Sequence, residues 1–315
     1  MRHTHGSAGN ALVMHPSGRQ VEIRHGDQRA VVVEVGGGVR AYDAGGQPVL
    51  DGYGVGEMVS GARGQPLIPW PNRLHDGRYT WDGRELVVPL DEPAQGNALH
   101  GLTRWRSWSV VQTADTSATM ALRLLPQPAY LFALDLQIRY DLDDNGLTVA
   151  TTATNIGDNA APYGHGAHPY VTAGTARIDD ALLYLPAGTW LPTDKNQIPT
   201  GRVPVEGTPY DFCSGRRLGD TRTDHAFTDL LRGENGCAEV VLVNPDGRQV
   251  TVWLDEHYPY VMIFTGDTLP TPDRRRQGLG VEPMTCPPDA FRTGENLLRL
   301  EPGDTVTTRW GVRPG

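Results

Sequence analysis

The sequence is poor in cysteine, lacks any long apolar run and carries a deficit of positive charge. Its three cysteines (Cys213, Cys237, Cys286) are odd in number and irregular in spacing. Neither a disulfide framework nor a Cys-x-x-Cys metal site can be read from them, which suits a reducing compartment; cytoplasmic localisation is expected. No stretch approaches the ~18 apolar residues of a membrane helix. The start, Met1-Arg2-His3-Thr4-His5, has no signal-peptide core, and Ala11 to Met14 is the one short apolar run there. The formal net charge of -9 over 315 residues argues against a nucleic-acid partner. Gly-x-Ser-x-Gly, a Gly-rich phosphate loop and redox-cofactor signatures are all missing, so no cofactor is expected.

Turn-forming residues are plentiful. Gly 38 and Pro 25 together make a fifth of the chain, which implies many turns and few long helices. From Val21 onward the pattern is β. Arg29 to Val35 is Val-rich, Gly36-Gly37-Gly38 breaks it, and Val39 to Tyr42 resumes. Asp82-Gly83 and Asp246-Gly247 each lie between two β-rich runs, as tight hairpin turns do. Leu134 to Leu142 alternates apolar and polar without a slip, so one face is buried and the other wet. Asn145-Gly146 is expected to turn that strand into Leu147 to Thr151. Glu239 to Val243, Arg248 to Leu254, Tyr260 to Thr265 and Thr305 to Trp310 are further strands. No segment keeps a helical apolar period over three turns, and no repeat or composition shift marks a boundary. The expectation is a polar tail over 1–17 and one large antiparallel β-sandwich over 18–315.

The chemistry collects in five stretches. Tyr163-Gly164-His165-Gly166-Ala167-His168-Pro169-Tyr170 packs two histidines, two glycines and two tyrosines into eight residues. Histidine exchanges protons near neutral pH, although a lone histidine in a turn is usually structural. Pro69-Trp70-Pro71-Asn72-Arg73 holds a guanidinium in a stiff loop, and Leu99-His100-Gly101 sets a histidine before a glycine. Asp224-His225-Ala226-Phe227 joins a carboxylate to an aromatic. Gly280-Val281-Glu282-Pro283 through Cys286-Pro287-Pro288-Asp289-Ala290-Phe291 reads as a proline-stiffened loop carrying Glu282. On extended backbone, residues three apart point to opposite faces, so His165 and His168 could share a metal only if the chain kinks there.

These stretches, in this order from about Arg29 to the C-terminus, resemble the aldose 1-epimerase (galactose mutarotase) family. The resemblance implies an all-β, single-domain β-supersandwich with the sugar in an open cleft. It implies Glu282 as catalytic base, His168 as acid and His100 assisting at the ring oxygen. Arg73 and Asp224, with Asn72 and Tyr170 beside them, would hold sugar hydroxyls. The partner would be a small-molecule sugar, with no metal, cofactor, nucleic acid or membrane, and the protein would be a monomer or homodimer. Val171 stands where the best-known members carry an aromatic, and the Pro69-Trp70-Pro71 lead-in is similar to a subgroup linked to sulfosugar (sulfoquinovose) pathways.

Interconverting pyranose anomers opens the C1–O5 bond, turns the aldehyde end and recloses on its other face. One group takes the O1 proton and another protonates O5, so a carboxylate and an imidazolium suffice. A glycosidase would use two carboxylates, with Asp224 as donor, and leave both histidines idle. A sugar-binding module would need no acid–base pair. The expected substrate is a neutral hexose such as glucose or galactose, because the Asp224 carboxylate accepts from hydroxyls but repels anions. Arg274-Arg275-Arg276 is the feature that would favour a phosphosugar or sulfosugar.

Overall fold

The computed structural model describes residues 14–315. Of the tail expected over 1–17, residues 1–13 lie outside the described residues. Ser17 is buried and accepts a hydrogen bond from Gln20 Nε2 at 2.8 Å, so packed chain begins inside the span given to the tail. Two large antiparallel sheets dominate. The first has nine strands, in the order Ser109–Ala114, Ser117–Leu124, Leu134–Asp143, Gly146–Asn155, Thr305–Pro314, Gln249–Leu254, Ala238–Val243, Leu182–Tyr184 and Arg216–Arg217. The second runs Val203–Pro204, Ala187–Trp190, Asp224–Leu230, Tyr260–Phe264, Leu279–Met284, Gly166–Ala167 and Pro66–Leu67. Tyr170–Val171 also pairs with Leu279–Met284 in this sheet. Among the described residues the one α-helix is Ala290–Thr293, and no helix is long and apolar enough to cross a membrane.

The alternation at Leu134–Asp143 produces the burial it predicts, with the apolar residues inside and Gln137, Arg139 and Asp143 out. Its hairpin turns one residue earlier than expected. Asp143 pairs with Gly146, so Asp144-Asn145 is the loop, and Asn145 N–H donates to Asp143 Oδ1 at 2.7 Å. Asp82-Gly83 turns as expected: both residues have positive φ (47° and 77°), and Trp81 pairs with Arg84.

The two sheets face each other across one continuous core. Leu136, Ile138, Val149 and Val252 of the first share it with Phe227, Val261, Ile263 and Val281 of the second. Side chains alternate across a sheet, so the residues between those of the second sheet point away from this core. They form two rows fixed by the register. Ala226 pairs with Met262 and Met262 with Glu282; Asp224 pairs with Phe264 and Phe264 with Gly280. This outer face is the floor of the site.

Glu282 therefore does not sit in a loop, as its prolines suggested, but in the middle of the strand Leu279–Met284. Pro283 has no N–H to donate, yet it costs the sheet little. Thr285 N–H donates to His165 O at 2.8 Å and Val281 N–H to Pro169 O at 3.1 Å. Pro283 falls between these two bonds, where the neighbouring chain is broken into two short strands.

Candidate active site

The register that surrounds Pro283 also assembles the centre of the site. Gly166 pairs with Met284 and Tyr170 with Gly280, which sets His168 directly opposite Glu282 on the outer face. His168 Nε2 lies 3.2 Å from Glu282 Oε1, and both side chains are almost wholly buried. Gly280 leaves the space beside them: a Cβ there would meet Phe264 Cβ at 3.1 Å and Glu282 Oε1 at 3.6 Å. His165, an odd number of residues away, points to the opposite face. It is buried in the core, with Nε2 2.9 Å from the Tyr258 hydroxyl. The two histidines cannot share an ion.

His100 reaches the cleft from a different sheet. Arg73–His75 pairs with Asn97–Leu99, and the residues flanking this pair, Asn72 and His100, both take left-handed backbone (φ 54° and 62°). His100 N–H donates to Asn72 O at 2.8 Å, and Asn72 N–H donates to His100 Nδ1 at 3.1 Å. The second bond fixes the tautomer: Nδ1 accepts, so a neutral His100 carries its proton on Nε2. Gly101 follows because a Cβ there would lie 2.1 Å from Ile68 O.

Arg73 is more committed than expected. Its Nε and Nη2 grip both oxygens of Glu92 at 2.9 and 3.1 Å, and Nη2 is 3.6 Å from Asp224. Nη1 makes no bond among the described residues. Burial opposes the Arg73 charge, but Asp224 and Glu92 outweigh it and hold the guanidinium above its ordinary pKa. Asp224 is itself raised, chiefly by burial, against the pull of Arg73 and a hydrogen bond from Gln197. Asn72 lines the cleft, although its Oδ1 already accepts from Arg73 N–H at 2.9 Å. Tyr170 lines it too, but its hydroxyl donates to Gly61 O at 3.0 Å and its ring stacks on His168 at 4.9 Å. It borders the site as a ring packed against His168, its hydroxyl being spent on Gly61.

Together Glu282, His168, His100, Arg73, Asp224, Asn72 and Tyr170 border one cavity of about 280 Å³. Leu99, Phe264, Leu269 and Pro270 supply apolar wall, and Arg104 is a further lining cation. Burial pushes Glu282 well above its ordinary 4.5, helped by Asp224. Burial, with Arg63 and Arg104 behind it, drives His168 down to about 3, and His100 is also held well below 6.5.

Other expectations do not carry into the site. Of Asp224-His225-Ala226-Phe227 only Asp224 lines the cavity; His225 packs against Trp190 and Tyr210. Of Arg274-Arg275-Arg276, two are committed to carboxylates and the third is exposed, held among the described residues through Nε alone. Arg276 is buried between Asp179 and Asp267, Arg274 pairs with Asp51 and Gly52 O, and Arg275 donates to Leu269 O. Among the described residues the cluster with metal-ligand spacing is Asp255-Glu256-His257, outside the cleft and mostly exposed. Glu92, Arg63, Arg104 and Gln197 were missed, because each acts through a contact distant in sequence and none belongs to a motif.

Comparison with known proteins agrees with this architecture. Residues 19–312 match the family model for aldose 1-epimerase. The chain is 36% identical over 291 residues to the uncharacterized protein YihR of Escherichia coli K12, covering 92% of this chain and 91% of that one. It is 31% identical over 216 residues to human galactose mutarotase, covering 63% of this chain and 60% of that one. The fold matches a GalM/aldose epimerase homologue from C. elegans with a TM-score of 0.83 at 18% identity, over 94% and 98% of the two chains. It also matches galactose 1-epimerase from Lactobacillus acidophilus with a TM-score of 0.79 at 21% identity, over 94% of each. The chain belongs to the aldose 1-epimerase family.

Proposed function

We propose that the protein is a mutarotase that interconverts the α and β anomers of a free neutral hexose such as glucose or galactose. The observation that carries this is the Glu282–His168 pair, 3.2 Å apart and buried at the base of a cleft. A cavity of about 280 Å³ is near the low end of the roughly 300–1,000 Å³ of ligand pockets, which suits one sugar ring.

In the form with Glu282 ionised and His168 protonated, Glu282 takes the O1 proton as His168 protonates O5 and the C1–O5 bond opens. The pair then stands as neutral acid and neutral imidazole. Burial disfavours both charged groups, so the transfer relieves a cost present at its start. After rotation about C1–C2 the steps reverse and the other anomer closes. His100 supplies an Nε2–H donor to the ring oxygen. Arg73 Nη1 and the Asp224 carboxylate complement hydroxyls on the remote side of the ring. No proton is consumed overall, and each of the two catalytic groups contributes roughly 10²–10⁴-fold.

The neutral sugar is supported by the charge balance of the lining. Arg73 is matched by Glu92 and Asp224, and Arg274 and Arg276 are spent on Asp51, Asp179 and Asp267. One observation favours an anionic sugar as a second reading: among the described residues, only Nη2 of the three Arg104 guanidinium nitrogens is bonded, to Asp91 and Leu99 O. Polarimetry or exchange NMR on glucose, galactose, glucose 6-phosphate and sulfoquinovose distinguishes the two. A lead of more than about tenfold in kcat/KM for an anionic sugar, erased by Arg104→Gln, would overturn the neutral assignment. Absence of anomerisation of all four would overturn the mutarotase.

A further inference from the structure

A catalytic histidine is ordinarily oriented by a hydrogen bond at the ring nitrogen away from the substrate. Among the described residues His168 has none: its Nδ1 is buried and without a partner there. Something else must hold the ring plane. On one face the imidazole stacks on Tyr170, with centroids 4.9 Å apart and planes 13° from parallel. On the far face of the Tyr170 ring lies the Arg63 guanidinium, its Cζ 4.3 Å from the centroid. Arg63 is 2% exposed, a deep burial for a charge. It is fixed there by Asp51 at 3.1 and 3.3 Å and by Ser60 O at 3.3 Å, and Arg274 holds the other Asp51 oxygen at 3.1 Å. The backbone repeats the clamp, since Gly64 N–H donates to His168 O and His168 N–H to Gln65 O.

We propose that Arg63 is a positioning residue for His168, acting through Tyr170: guanidinium, phenol and imidazole form one buried column that sets the plane and tautomer of the acid. The inference rests on the assignment of His168 as that acid. With Nδ1 facing no acceptor, the neutral ring keeps its proton on Nε2, toward Glu282 and the cleft. The column also adds a cation behind the ring that resists imidazolium formation. The other groups facing His168 are Glu282 at 3.2 Å, His100 edge-on at 5.2 Å, and Arg104 and Arg73 farther off. Arg104 and Arg73 oppose the charged ring; the main chain of His168 itself favours it, as Glu282 does once ionised.

The test is a ¹⁵N-histidine NMR titration of the full chain, with the His168 resonances assigned by loss in His168→Asn, beside kcat and KM for the preferred sugar. In the wild type His168 should show the Nε2–H tautomer at neutral pH. In Arg63→Gln its titration should move up by about one pH unit, as expected when a like charge is removed. Both tautomers should appear, and kcat should fall about tenfold with KM within threefold. Arg63→Lys, which keeps the charge but not the flat stack, should restore the titration and not the tautomer. Should Arg63→Gln fail to fold, Tyr170→Leu breaks the column while leaving Arg63 on Asp51, and is expected to release the tautomer in the same way. An unchanged His168 tautomer and titration in a folded Arg63→Gln, or in Tyr170→Leu if that is the variant that folds, overturns the proposal. The titration reads His168 itself, so a wild type that anomerises no sugar would refute the proposed function and leave this result interpretable.

Discussion

Replacing His165 with glutamine should make the protein resist acid better without slowing it. His165 is buried in the core between the sheets. Its Nε2 meets the Tyr258 hydroxyl at 2.9 Å, that hydroxyl meets Thr308 Oγ1 at 2.7 Å, and Nδ1 has no partner. A proton on Nδ1 would place a charge and an unpartnered N–H in apolar surroundings, so burial lowers the pKa from 6.5 to about 3. The unfolded chain, with the ordinary value, takes up the proton first as pH falls. Stability is therefore lost below about pH 6.5 and stops falling near pH 3, at about 1.4 kcal/mol per pH unit. Between pH 7 and pH 4 this one residue costs about 3 kcal/mol by that linkage. Glutamine reaches the Tyr258 hydroxyl and does not titrate. His168 and His225, lowered to about 3 and about 4, still titrate in both proteins, as do the raised carboxyls, so the difference isolates His165. Urea unfolding followed by tryptophan fluorescence at pH 7 and pH 4 measures it. If wild type and His165→Gln lose the same stability over that interval, the buried, neutral assignment of His165 is wrong. Turnover at pH 7 should stay within about threefold; its abolition would mean that the wrong histidine of the central stretch has been placed in the site.

Glu282→Gln should cut turnover by at least about 10²-fold while leaving the melting temperature at or above wild type, since it replaces a buried carboxyl that resists ionisation; near-normal activity in a folded variant refutes the base. His168→Asn should be as damaging and His100→Asn no worse, checked by polarimetry. Because the active pair holds one proton, kcat/KM should trace a bell against pH, and a flat profile from pH 4 to 9 would exclude the shared-proton pair. Gly280→Ala puts a methyl 3.1 Å from Phe264 Cβ and 3.6 Å from Glu282 Oε1; KM should rise with little change in stability, measured by steady-state kinetics and thermal melts. Dialysis against a chelator should leave the rate unchanged, and loss restored by zinc or manganese would refute a purely acid–base mechanism.

How much of this could be read beforehand depended on whether the cause was local. Leu134–Asp143 was legible because its period of two is written in the residues themselves. The strand Leu279–Met284 was not, because Gly280 and Pro283 are turn residues by composition; Pro283 is tolerated only where the neighbouring chain is broken, and Gly280 pairs regularly with Tyr170 and Phe264. The separation of His165 from His168 followed from strand parity alone. Arg274 and Arg276 could not be read because a basic run shows its charge and hides its partners; Asp51, Asp179 and Asp267 are met through folding. Glu92, which spends the fork of Arg73, and Arg63, under Tyr170, carried no local sign at all.

His168 lies in the gap between two short strands, Gly166–Ala167 and Tyr170–Val171, that both pair with Leu279–Met284, so its place opposite Glu282 depends on chain length as well as on identity. A single inserted or deleted residue between Gly166 and Tyr170 would shift one of these pairings against the other and displace the proposed acid from the proposed base while both remained in the sequence. In lineages drifting from this protein, length changes in these five residues should be purged as strictly as loss of the histidine itself.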